Sequence, residues 1–205
     1  MNPPFGGKEG REAQTNFAYK TSATQVLFLQ HVIDALKPGG RCGTVIDEGV
    51  LFRTTESAFV QTKRKLLDET DLWCIVSLPP GVFSSAGAGV KTNLLFFTKG
   101  GPTERTWYFD LSDVKVTKKR PLTLDRFEEL FALVAARTDS PRSWTVTRAE
   151  MEARGYDLKA VNPTAKAAGD TRTPTELLDE IEARGRDVDA AIARLRALLQ
   201  AEPEA

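Results

Sequence analysis

Histidine is almost missing from this sequence, cysteine is rare, and net charge is absent. There is one histidine (His31) and there are two cysteines (Cys42 and Cys74), and 28 basic residues balance 28 acidic ones. A lone histidine inside a helical pattern reads as a surface or core-edge residue rather than a metal ligand. Two cysteines in apolar, strand-like runs read as buried thiols of a reducing compartment, not as a disulfide framework or a zinc site. Zero net charge means that no bulk positive field draws nucleic acid to the chain. Any such contact must come from local clusters: Lys63-Arg64-Lys65, Lys118-Lys119-Arg120, and Lys8 with Arg11. Each reads first as a solvated face. No N-terminal basic-then-apolar signal is present and no apolar run approaches membrane-spanning length, so the expected setting is cytoplasmic, with no membrane partner.

What is there is enough apolar sequence for a core, 41% over 205 residues, and a recurring alternation of elements. Val26, Leu29, Ile33 and Leu36 recur at helical spacing over 22–37, closed by Pro38-Gly39-Gly40. CGTVID (42–47) reads as a strand, 55–70 as a helix, and LWCIVSLP (72–79) as a second strand. This order predicts an α/β domain in which 42–47 and 72–79 run parallel, with the two helices on opposite faces. The next connection, PPGVFSSAGAGVKT, has no helical periodicity, so NLLFFTK (93–99) should return antiparallel. Its continuous apolar run suits a strand covered on both faces. TWYFDL (106–111) and SWTVT (143–147) read as further strands. Residues 122–137 read as a helix burying Phe127, Leu130, Phe131 and Val134. The expected domains are 1–161, a polar linker at 162–173, and a C-terminal helix and tail at 174–205. The seam of that helix (Leu178, Ile181, Gly185, Val188, Ile192, Leu195, Leu199) has coiled-coil steps. It could pair with a partner or fold back on its own domain.

Two phosphate-loop patterns fail. GAGVKT has Val90 where the glycine must stand, and FGGKEG has Glu9 in place of the hydroxyl residue.

The opening MNPPFGGK carries the chemistry. It could be a stray turn or an active-site loop. Asn2 offers an amide oxygen. Pro3 offers a carbonyl on a fixed φ, and Pro4 holds Pro3 extended. Phe5 offers a flat apolar face. Two acceptors and a ring could cradle a planar group bearing an exocyclic amine. They would draw its lone pair out of conjugation and aim it at an electrophile, with no general base needed to begin.

NPPF is the catalytic tetrapeptide of amino-group DNA methyltransferases acting on adenine, and NPPFGG resembles the methylation subunit of type I restriction–modification systems. The resemblance continues through FLQHVIDALKPGGRCGTVIDEGVLFR, IVSLPPGVFSSAGAGVKTNLLFFTKG, WYFDL, TKKRPL and SWTVTRAEMEARGYDLKAVNP. It implies a Rossmann-like, S-adenosylmethionine-dependent fold with a mixed sheet and an antiparallel last strand, here truncated at its front. It also implies catalytic roles for Asn2, Pro3, Pro4 and Phe5 on an adenine flipped out of duplex DNA. Phe83 would be a second wall for the base, or simply an anchor for its loop. Lys91 could meet a DNA phosphate, or be an ordinary solvated lysine. The donor-binding half that precedes this tetrapeptide in the family has no counterpart here. No cofactor-binding residue is therefore assigned, and the chain alone is expected not to hold S-adenosylmethionine. A sheet edge left open in this way is expected to favour self-association. Implied partners are double-stranded DNA, the specificity subunit and the restriction subunit. The alternative reading is a non-catalytic module that docks a specificity subunit through its C-terminal helix.

Overall fold

The computed structural model describes residues 1–83, 90–117, 119–164 and 173–201. Expectations that fall on 84–89, Lys118, 165–172 and 202–205 lie outside the described residues, and most of the expected linker is among them. The chain divides into two compact units, after residue 165.

The first unit contains α1 (Arg11–Gln14), α2 (Thr24–Ala35), β1 (Arg41–Asp47), α3 (Glu48–Phe52), α4 (Ser57–Glu69), β2 (Thr70–Ser77), β3 (Thr92–Lys99) and β4 (Arg105–Asp110). A 3₁₀ turn (Leu124–Phe127), α5 (Glu128–Leu133), β5 (Ser143–Thr147) and α6 (Arg148–Ala153) follow. The second unit is the long helix α7 (Pro174–Ala201). Among the described residues no helix is long and apolar enough to cross a membrane.

The five strands form one sheet in the order β1-β3-β2-β4-β5. β3 runs antiparallel to both β1 and β2, β2 and β4 are parallel, and β5 is antiparallel to β4. The antiparallel return of β3 agrees with its helix-free connection. The parallel direction expected of β1 and β2 holds, but the two are not adjacent. β3 is threaded between them, and its Leu95 and Phe97 are fully buried. The crossover through α4 leaves a gap of one strand, which the hairpin fills.

The two helices also share a face instead of taking opposite ones. Val26, Leu29 and Ile33 of α2 pack in the same core as Phe59, Leu66 and Leu67 of α4. The reason is handedness. Met1 forms one rung of a parallel ladder on the outer edge of β1: its N–H donates to Gly43 O and its carbonyl accepts from Val45 N. From that rung the chain passes through α2 into β1, and from β1 through α4 to β2, advancing the same way across the sheet. Right-handed crossovers that advance in one direction land on one face. The other face is covered by residues 122–134, through Leu122, Phe127, Leu130 and Val134. The expected helix over 122–137 is shorter than its periodicity suggested. Only Leu130 of α5 is buried, and Phe131 is 57% exposed, leaning on Phe127 at a ring distance of 6.2 Å.

Both cysteines are buried and unpaired, and burial pushes the Cys74 thiol up to about 12. His31 is exposed. The Lys63-Arg64-Lys65 cluster is spent on structure. Lys63 is fully buried and its Nζ donates to the carbonyls of Leu51 (2.7 Å) and Arg53 (2.8 Å), closing the C-terminus of α3. Arg64 pairs with Asp68, and Lys65 with Asp34 and Glu69.

Burial lowers the Lys63 ammonium to about 8, with Asp157 pulling weakly the other way. The unfolded chain holds that proton more tightly, near the ordinary 10.5. The native protein should therefore gain stability relative to Lys63→Met as pH rises from about 8 towards 10.5, and show no such trend below that window. Urea denaturation of both proteins across this range checks it, and parallel pH profiles would contradict it.

Candidate active site at the carboxyl rim of the sheet

The parallel rung at Met1 fixes where the next residues fall. The chain turns off beside the carboxyl end of β1, and Asn2 to Gly7 lie on that rim. Pro3 is buried in a crevice with Phe28, Leu29, Val32 and Ile46. Asn2 and Pro4 are exposed and Phe5 is half-buried. Gly6 and Gly7 take φ of +74° and +93°. A Cβ on Gly7 would lie 2.9 Å from Thr24 Oγ1. Past this turn the loop is pinned to the start of α2. Glu9 N donates to Ser22 O at 2.8 Å, and Thr24 Oγ1 donates to Glu9 Oε1 at 3.0 Å. Neither the Asn2 carboxamide nor the Pro3 carbonyl is hydrogen-bonded to any described residue. The backbone that carries these two acceptors is anchored on either side, and the acceptors themselves are left open.

The loop after β2 leaves the same rim. It brings Phe83 onto Phe5, with ring centroids 4.9 Å apart and planes inclined at 55°. Val82 and Phe83 rest on the core formed by Val76, Leu78, Phe109 and Leu111. Of the residues picked from the sequence, the tetrapeptide and Phe83 thus come together. Lys91 is engaged elsewhere: its Nζ lies 3.0 Å from Glu48 Oε1, and Lys159 approaches Glu48 Oε2 at 3.7 Å. Glu48 N also donates to Lys91 O at 2.9 Å. A phosphate reaching Lys91 would have to share its ammonium with Glu48.

Sequence reasoning missed Glu48, whose only signal was a carboxylate directly after a strand. It also missed three polar side chains beneath the rim. Ser77, Thr92 and Asn93 are at most 1% exposed, and their side-chain polar atoms find no hydrogen-bond partner among the described residues. Asn93 stands between Ile46 and Ser77 in the sheet register. An amide within the apolar NLLFFTK run was the one available cue.

A cavity of about 290 Å³ adjoins the loop, lined by Gly6, Gly7, Lys8, Asp47, Arg53 and Glu56 among others. Asn2 is not part of its lining. A molecule held there would not touch the Asn2 carboxamide, and no residue of this lining is assigned to a donor.

The reversed strand inserted between parallel neighbours defines the class: the fold of the S-adenosylmethionine-dependent methyltransferases. Residues 1–171 match the model of the N-6 DNA methylase family, and the chain belongs to that family. It is 34% identical over 218 residues to the EcoEI methylase subunit of a type I restriction enzyme from Escherichia coli, covering 98% of this chain and 43% of that one. A solved modification subunit of a putative type I restriction enzyme from Vibrio vulnificus YJ016 superposes with a TM-score of 0.73 at 32% identity, over 80% of this chain and 37% of that one. A chain from a structural study of assembly and conformational transition in the type I R-M system gives 0.74 at 38% identity, over 99% and 45%. The chain thus spans less than half the length of these relatives.

Gly7→Ala should destabilise the protein by about 1–2 kcal/mol, the usual penalty for a side chain in left-handed backbone. Gly10 has φ −64°, and a Cβ added to it would meet nothing within 4 Å, so Gly10→Ala should stay within roughly 0.5 kcal/mol. Chemical denaturation of both variants distinguishes the two, and equal effects would refute the assigned strain.

Proposed function

We propose that this chain supplies the acceptor side of an adenine-specific DNA methyltransferase, the methylation subunit of a type I restriction–modification system. The observation that carries this reading is the pair of unoccupied acceptors on Asn2 and Pro3, set beside the Phe5–Phe83 ring pair. An exocyclic amine has two hydrogens to give. Donated to the Asn2 oxygen and the Pro3 carbonyl, they leave the nitrogen lone pair free of the ring and pointing away from both acceptors. Phe5 stacks on the flipped base, Phe83 forms the opposite wall, and Pro4 keeps the loop extended. A base between two rings needs about 7 Å, twice the contact separation of roughly 3.5 Å. The rings must therefore part from their 4.9 Å contact, and the loop carrying Phe83 has to yield. In this family S-adenosylmethionine supplies the methyl group. On this reading the chain alone does not hold it.

The proposed partners are duplex DNA, a specificity subunit that chooses the target, and the restriction subunit of the same system. The docking element is α7. Leu178, Ile181, Val188, Ile192 and Leu195 along its seam are 41–66% exposed. Arg184 pairs with Glu180 and Arg186 with Glu182, both at 3.8 Å, which keeps the charged side of the helix internally matched. A helix with one apolar stripe and matched charges beside it gains stability by pairing.

In a methylating assembly containing this chain, Asn2→Ala should lower turnover by roughly a hundredfold or more. Phe5→Ala should mainly weaken base positioning, by about 1–3 kcal/mol. Wild-type turnover in the Asn2 variant would remove the catalytic reading and leave the docking module alone. Separately, the double substitution Val188→Asp with Ile192→Asp should abolish co-purification with a specificity subunit while circular dichroism of the first unit is retained. Undiminished co-purification would show that α7 is not the docking element.

A further inference from the structure

The loop after β4 leaves the sheet beside the loop after β2: Ser77 and Asp110 are partners in the parallel register, and Leu111 N donates to Ser77 O at 2.9 Å. Strands in a sheet are about 4.8 Å apart, so the two loops emerge within one strand spacing on the same rim. They also share a core. Val114 and Leu122 pack against the same apolar cluster as Phe83. The segment between them, folded back by the Thr117–Arg120 bridge, carries exposed Lys115, Lys119 and Arg120.

These cations differ from the paired ones of the first unit. Lys91, Lys65, Lys99, Arg64 and Arg148 are all held by carboxylates. Lys115, Lys119 and Arg120 pair with no carboxylate among the described residues. The nearby acids are already taken: Asp113 is held by both terminal nitrogens of Arg142 at 2.8 Å, and Asp125 lies 3.4 Å from its neighbour Arg126. Lys115, Arg120, Arg126 and Arg142 line an open groove of about 540 Å³ together with Asp113 and Thr123. The groove presents charge and hydroxyl, and no ring on which a base could stack. In a chain with 28 charges of each sign, this is a local positive surface, not a bulk field.

We propose that Lys115, Lys119 and Arg120 form a phosphate-binding rim that holds the backbone of duplex DNA beside the flipped base. The proposal rests on the acceptor-site reading for its location, but it is tested independently of methyl transfer. Phosphodiesters are the ligand this groove fits, since cations on flexible stems track a backbone without reading sequence. Each phosphate contact releases counterions, so the signature is a salt slope.

The experiment is fluorescence anisotropy of the full chain with a labelled duplex of about two helical turns, carrying one mismatched adenine to ease flipping. Salt is varied from about 50 to 200 mM. Replacing Lys115, Lys119 and Arg120 by alanine should flatten the slope of log affinity against log salt by about 2–3, and weaken binding at low salt by roughly tenfold or more. Arg64→Ala, at a cluster spent on structure, should leave the slope unchanged. Asn2→Ala should also leave it unchanged, so loss of methylation with an intact slope difference would concern the catalytic loop and not the rim. If the triple variant does not fold, the single variants Lys115→Ala and Arg120→Ala carry the same test, each shifting the slope by about 1. The proposal is overturned if the wild-type chain shows no saturable binding at low salt, if the variant slope equals the wild-type slope, or if Arg64→Ala lowers it equally.

Discussion

Everything at the candidate site depends on the reversed strand β3 lying between β1 and β2. Because it enters from the rim and leaves at the far edge, β1, β2 and β4 can all point their carboxyl ends the same way. The loops that follow them, and the Asn2–Gly7 turn beside β1, are thereby gathered on one side. No single contact does this. It follows from strand direction, and β3 is secured by burial of Leu95 and Phe97 on one face and packing of Leu94 and Phe96 on the other.

The rim and the interior differ in how their polar groups are treated. Below the rim, Lys63 is matched by two carbonyls, and Thr103 Oγ1 both donates to Thr70 O and accepts from Leu72 N. Directly beneath the rim, Ser77, Thr92 and Asn93 are buried without partners among the described residues, and each such group costs about 1–3 kcal/mol. The outer edge of β1 is partly blunted: Met1 engages Gly43 and Val45, and Gln25 Oε1 accepts from Asp47 N. That edge is less bare than the sequence suggested, which weakens the physical case for self-association through it.

Much of the fold was legible because the apolar periods were long and their ends were marked. The tetrapeptide stood out by residue type, and the chemistry proposed for it rests on the family resemblance. Strand order was not legible, since a right-handed crossover fixes direction and face but not whether a gap is left for a later strand. The face shared by α2 and α4 needed the Met1 rung, which is a backbone contact without a sequence signal. Phe131 followed the helical period of its neighbours, yet α5 is too short to bury a full face. Lys91 was read as a surface cation because nothing in its own segment reveals Glu48, which is 43 residues earlier in the chain. The clusters at 63–65 and 118–120 looked alike in sequence, and only the partners that engage Lys63, Arg64 and Lys65 set the first apart.

On the proposed reading, in which a flipped adenine enters between Phe5 and Phe83, their contact has a thermodynamic consequence for base selection. Without a base the two rings already satisfy each other, an interaction worth about 0.5–1.5 kcal/mol. Admitting a base exchanges that contact for two stacking faces of about 1–3 kcal/mol each. Extracting the base from a helix costs a few kcal/mol, least where its pairing is already weak. The exchange is close to balanced, so the rings act as a threshold rather than a trap. A firmly paired base gains too little from them to remain outside the helix, and its residence must be underwritten by contacts to the strand on either side.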